Sequence, residues 1–87
     1  MNAREVTIYT SAVCPFCHWA KDLLHKKSVT YHEIRIDLEQ GQVEAMVQRS
    51  GRMSVPQIFI GDIHVGGFDD MAALDRKGEL DGLLGLE

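Results

Sequence analysis

Two cysteines, two prolines and one tryptophan are all that the 87 residues contain of those types. The cysteines stand at positions 14 and 17, and a loop that short constrains an unfolded chain too little to staple a fold. Positive charge is also scarce: nine Lys and Arg against thirteen Asp and Glu leave a formal net charge of −4. Binding a phosphate backbone requires a dense basic surface, so no nucleic-acid partner is expected. The longest basic run, Lys26-Lys27, reads as a solvated helix end. No apolar run approaches the roughly eighteen residues of a membrane span, so no membrane partner is expected either. The opening MNAREVTIYT is too polar for the apolar centre of a signal peptide. The expected location is cytoplasmic, where a lasting structural disulfide is disfavoured. A close cysteine pair there is catalytic, redox-active or metal-binding.

What remains is an ordinary globular composition, 45% hydrophobic and 25% charged, long enough for one core. A single domain over residues 1–87 is the expectation, without repeats, linkers or low-complexity tracts. Strand and helix signals alternate. Residues 5–10, EVTIYT, are β-branched and aromatic and read as a strand. Pro15 suits the first turn of a helix whose apolar positions are Phe16, Ala20, Leu23 and Leu24. Residues 30–37 alternate as a second strand. Residues 41–50 carry Val43, Met46 and Val47 at helical spacing, stopped by Gly51.

QIFI at 57–60 and IHV at 63–65 read as a hairpin across Gly61-Asp62. Asp69 or Asp70 can cap a helix through Met71 to Leu74, and Leu80, Leu83 and Leu84 suggest a short last helix. The order β-α-β-α-β-β-α gives two parallel strands from the first crossover and antiparallel ones from the hairpin.

The chemistry concentrates in Cys14-Pro15-Phe16-Cys17-His18. As C-x-x-C-H it matches c-type haem attachment, with His18 as one axial ligand and Met46, Met53 or Met71 as the other. The chain is strand-rich for such a protein and shows no export signal. A structural zinc site needs a second ligand pair, and His18, His25, His32 and His64 are separated by six, six and thirty-one residues, none a ligand spacing. Two inert thiols are the plain alternative.

The redox reading carries a mechanism. Cys14 would lie at a helix N-terminus, where unpaired amides and the helix dipole favour a thiolate. Cys17, one turn later and more buried, would then resolve what Cys14 attacks. His18 reads as an exposed helical histidine and Trp19 as a partly buried packing residue.

CPFC after the first strand, Ser54-Val55-Pro56 before the third, and Gly66-Gly67-Phe68-Asp69-Asp70 before the last long helix occur together in one order. With them the chain resembles the glutaredoxins, in particular the small bacterial dithiol type, over nearly its whole length. The resemblance implies an α/β thioredoxin fold, a four-stranded mixed sheet flanked by three or four helices. It implies a glutathione-dependent thiol–disulfide oxidoreductase with Cys14 and Cys17 as catalytic residues.

It further implies a cis Pro56 that places the Val55 backbone beside the dithiol. The implied glutathione groove is formed by Phe16, Gln48, Ser54, Val55, Pro56, Gly67, Phe68, Asp69 and Asp70. Backbone amides of Phe68 and Asp69 would take the γ-glutamyl carboxylate, Asp69 or Asp70 would face the ammonium, and Gln48 would reach the glycine carboxylate. Glutathione is then a co-substrate, with no permanently bound cofactor and no metal. Oxidised or glutathionylated proteins are the expected partners of a monomer.

Some positions depart from the family pattern. Ser11 stands where many members carry lysine, Met53 where others carry arginine, with Arg52 one position away. Phe16 replaces a common tyrosine, and Phe68 an occasional extra cysteine. Arg52 or Lys21 would have to supply the missing cation. Two other readings stay open: a thioredoxin-like protein recycled by a flavoprotein reductase, and a module in which two chains and two glutathiones hold a [2Fe–2S] cluster through Cys14.

Overall fold

Five successive residues, Val6 to Thr10, are buried, which a strand achieves only in the middle of a sheet covered on both faces. This strand, β1, organises the computed structural model, which describes residues 4–86. Residues 1–3 of the polar N-terminal stretch and residue 87 of the expected domain lie outside the described residues. After β1 come helix α1 (Pro15–Lys26), strand β2 (His32–Arg35), helix α2 (Gln42–Ser50), strands β3 (Gln57–Ile60) and β4 (Ile63–Gly66), and helices α3 (Phe68–Arg76) and α4 (Leu80–Leu84).

The sheet order is β2-β1-β3-β4. Strand β1 pairs in parallel with β2, Thr7 opposite His32, and antiparallel with β3, Val6 opposite Ile60. β3 and β4 form the expected antiparallel hairpin, with a register shift between Ile58 and Phe59. A four-stranded mixed sheet and four helices are thus present among the described residues, as the thioredoxin fold requires.

Because side chains alternate along a strand, β1 and β3 supply two cores. Val6, Ile8, Ile58 and Ile60 face Ala20 and Leu24 of α1, Met71 of α3, and Leu80 and Leu84 of α4. Tyr9 and Phe59 point the other way, to Met46 of α2. Each buried aliphatic side chain contributes roughly 1.5–3 kcal/mol by leaving water.

The structure revises several boundaries. The buried stripe of α1 is Cys17, Ala20 and Leu24, and Phe16, expected on the apolar face, is 48% exposed. One residue is about 100° of helix, so Phe16 turns off the core towards the start of α3. β2 is shorter than the expected 30–37, because as an edge strand it pairs only opposite Thr7 to Thr10. Lys27 is not a solvated end: its ammonium bridges Asp75 at 2.7 Å and Asp81 at 2.6 Å, joining the end of α1 to α3 and α4. Gly67, not an aspartate, occupies the cap position of α3, and Asp70 serves the same end from inside the first turn.

Candidate active site

The dithiol sits where β1 hands over to α1. Cys14 occupies the cap position in extended conformation (φ −149°, ψ 93°), and Pro15 opens the helix without an amide to leave unsatisfied. Cys14 and Cys17 are joined by a disulfide, with their Cα atoms 5.2 Å apart. The Cys17 amide points at Cys14 Sγ from 3.1 Å, so the first helical turn donates to the sulfur that would carry charge after reduction. No acidic residue in that turn opposes it. Cys14 is 8% exposed and Cys17 2%, so an incoming sulfur meets Cys14 first.

Opposite the disulfide lies the segment before β3. The Val55–Pro56 peptide bond is cis, and the Val55 carbonyl oxygen stands 3.7 Å from Cys14 Sγ. Gln57, fully buried, braces this segment: its Nε2 donates to the Ser54 carbonyl at 3.0 Å and approaches Ser54 Oγ at 3.3 Å. With the amide nitrogen so committed, Oε1 faces His64 Nε2 at 2.8 Å, which makes Nε2 the protonated, donating nitrogen of that ring. His64 stacks on Phe59, with centroids 4.9 Å apart. Its pKa is lowered, first by burial and then by Arg52 and Arg49, against the opposing influence of Asp70.

The third wall is the start of α3. Gly66 takes φ +114°, and a Cβ there would collide with the Asp70 carboxylate, so both conformation and space demand glycine. Asp70 Oδ2 accepts from the Gly67 amide at 2.9 Å and from Arg52 Nη1 at 3.2 Å. Those donors, the amide first, hold its carboxyl below the ordinary carboxylate range. Phe68 and Asp69 lie in the first turn, where helix geometry provides their amides no intrahelical acceptor.

The segment before β3 and the start of α3, with Phe16 from between the cysteines, line one groove, while Cys14 itself lines an adjoining hollow. Eight residues expected to bind glutathione line it: Phe16, Ser54, Val55, Pro56, Gly67, Phe68, Asp69 and Asp70. Gln48 does not; it is exposed on α2. Arg52 and Gln57 complete the lining. Gln57 was missed by sequence reasoning, although a glutamine inside the apolar run QIFI is a signal for a buried amide with partners. Lys21, one candidate for the missing cation, is instead paired with Glu33 at 3.0 Å. Thr10 also donates to that carboxylate, at 2.7 Å. Burial works to raise the Glu33 pKa, but the Thr10 and Lys21 donors outweigh it and the net shift is downward. Among the described residues no group of three or more His, Cys, Asp or Glu could hold a metal ion, and no helix is long and apolar enough to cross a membrane.

Known proteins are similar to this chain in sequence and in fold. The glutaredoxin family model matches residues 6–65. Glutaredoxin 3 of Escherichia coli K12 is 53% identical over 80 residues, 92% of this chain and 96% of that one. A glutaredoxin of Pseudomonas aeruginosa is 48% identical over 79 residues, 91% of this chain and 94% of its own length. Among solved structures, the crystal structure of the buckwheat glutaredoxin–glutathione complex superimposes with a TM-score of 0.85 at 30% identity, covering 95% of this chain and 78% of that one. The solution structure of glutaredoxin from Brucella melitensis gives 0.81 at 47% identity, covering 93% and 88%.

Proposed function

The chain belongs to the glutaredoxin family, and from that membership we propose how its residues divide the work of the reaction. It is a dithiol glutaredoxin, a glutathione-dependent thiol–disulfide oxidoreductase of thioredoxin fold, closely related to bacterial glutaredoxin 3. Cys14 is the nucleophile. Its thiolate attacks the glutathione sulfur of a glutathionylated protein, the protein thiolate leaves and takes a proton, and Cys14 holds glutathione as a mixed disulfide. A second glutathione thiolate attacks that sulfur, giving oxidised glutathione and free Cys14. With a protein disulfide, Cys14 forms a mixed disulfide with one substrate cysteine. Cys17 then attacks Cys14 Sγ, releasing the protein dithiol and leaving the Cys14–Cys17 disulfide for two glutathiones to reduce.

The observation that carries this reading is the position of Cys14: an N-cap sulfur facing its own helix amide on one side and the Val55 carbonyl on the other. The backbone of Val55, held beside Pro56, would pair with glutathione as a strand does. Phe68 and Asp69 amides would receive its γ-glutamyl carboxylate. Asp70 is engaged by Gly67 and Arg52, which favours Asp69 as the partner of the ammonium. Arg52, anchored by Asp70 on the groove wall, supplies the cation that Ser11 and Met53 do not. Gln48 is left as an outer contact for the glycine end.

The described residues form one sheet with a core on each face, which supports reading residues 1–87 as one domain. We read it as a cytoplasmic monomer acting on oxidised or glutathionylated proteins, with a net charge of −4 weighing against nucleic acid. Turnover of a glutathionylated substrate tests the division of roles. Cys14→Ser should abolish it, and Cys17→Ser should retain it while losing reduction of protein disulfides. Equal loss in both variants would refute the assignment.

A further inference from the structure

Three aromatic rings meet on the surface beside the disulfide. Phe16, between the cysteines in sequence, has its ring centroid 5.1 Å from that of Trp19, edge to face at 87°. Phe68, in the first turn of α3, lies 5.9 Å from Trp19 and 6.4 Å from Phe16. Phe16 and Trp19 remain 48% and 51% exposed, and Val13, next to Cys14, 92%. Neither core includes Trp19, so the fold does not account for an indole kept half in water.

Position accounts for it better. Trp19 lines a surface hollow with Val13, Cys14 and His18. It also forms, with Phe68, Leu23 and Ala72, a second hollow between α1 and α3, edged by Asp22, Lys26, Asp75 and Arg76. Phe68 belongs as well to the glutathione groove. The apolar shelf is therefore continuous with the surface on which exchange takes place, and it extends away from the groove that glutathione would fill.

From this continuity we infer that Trp19, backed by Phe16 and Phe68, forms a recognition subsite for an apolar side chain adjoining the reacting cysteine of a polypeptide substrate. The inference rests on the reaction proposed above. Half of a side chain that can bury ~150–250 Å² leaves roughly 100 Å² on each ring. That is far below the ~800 Å² per partner of a stable dimer, but it suits one or two side chains of a peptide. Two copies at net charge −4 would also repel each other. A protein-disulfide substrate is held to Cys14 by a mixed disulfide, which makes the contact intramolecular. The leaving sulfur of a glutathionylated peptide stands in line with Cys14 Sγ during exchange, so neither needs a large interface. The groove edge carries acidic and basic groups in equal number, so the selection is for apolar character and not for charge.

Two cysteine peptides that differ only in leucine or serine beside the cysteine, each as its glutathione mixed disulfide, test the subsite. The wild type should turn over the leucine peptide with a kcat/KM roughly tenfold higher. Trp19→Ala should reduce that preference below about twofold, and Trp19→Phe should restore most of it. All three proteins should reduce the glutathione mixed disulfide of 2-mercaptoethanol equally well. Equal rates on both peptides in the wild type, or an undiminished preference in Trp19→Ala, would overturn the subsite. Failure of the wild type on the small disulfide would instead overturn the reaction beneath it.

As the sole tryptophan, Trp19 also reports directly. When the Cys17→Ser variant is trapped on Cys14 with the leucine peptide, by displacement of thionitrobenzoate from the peptide sulfur, its emission should shift to the blue. The serine peptide should leave it unmoved. An unmoved spectrum with the leucine peptide, or a blue shift that follows protein concentration alone and so assigns the shelf to a second copy, would overturn the proposal.

Discussion

At Asp70 one carboxylate oxygen performs two tasks, accepting the Gly67 amide that opens α3 and steadying the Arg52 guanidinium over the groove. Arg52 and Lys21 are each paired with a carboxylate, but only Arg52 lines the groove. Arg52→Met is expected to raise KM for a glutathione mixed disulfide roughly fivefold, the scale of an exposed charge pair of about 1 kcal/mol, with kcat within twofold. Steady-state kinetics checks this, and an unchanged KM would return the carboxylate to backbone amides alone. The dithiol and eight groove residues were legible because the three short motifs that contain them are contiguous in sequence. Arg52 was legible only as one of two candidates, since which of it and Lys21 reaches the groove depends on how the elements pack. Gln57 and His64 were not, because their bond joins neighbouring strands.

Elements here owe their placement to side chains that cross between them. Helix α1 was legible from Pro15 and its apolar spacing, and α2 from its apolar spacing and Gly51, which stops it at φ +73°. What periodicity did not give was the outward turn of Phe16: the core packs along Cys17, already expected to be buried, with Ala20 and Leu24. Lys27 fastens α1 to both later helices. Its pKa is raised, first by the hydrogen bond to Asp75 and then by that to Asp81. With the lysine side chain 17% exposed but Asp81 45%, the pair network is worth only ~0.5–1 kcal/mol. Lys27→Met should lower the free energy of unfolding in urea by that amount, and the difference should shrink in concentrated salt. A salt-independent loss would mean that packing, not charge, joins these helices.

Across the whole molecule, stability should follow pH in two steps. His64 is held below its ordinary 6.5 in the folded state. As pH falls through 6.5, the unfolded chain therefore takes its proton first and folding stability declines; above that value the contribution is complete. Asp70 and Glu33 are lowered from 3.8 and 4.5. Their contribution is complete above those values and is lost as pH falls below them. Thermal unfolding measured across this range should show both declines. His64→Gln, which keeps a donor for Gln57 and removes the titration, should flatten the upper one alone. If the slope just below pH 6.5 survives that substitution, another group is responsible.

The sequence by itself determined the element order, the mixed sheet and the reacting pair, because strand alternation, helical spacing and a C-x-x-C at a strand-to-helix junction are local signals. Its net charge of −4 led to the expectation of no nucleic-acid partner. Tertiary structure decided what depends on distance through space. It set the Cys14 sulfur against the Val55 carbonyl. It set Arg52 but neither Lys21 nor Gln48 in the groove lining, and left Trp19, expected as a packing residue, half-exposed among the three rings of an aromatic shelf. Periodicity states which residues share a face. Only the packing of the other elements states which faces meet one another and which are left to meet a substrate.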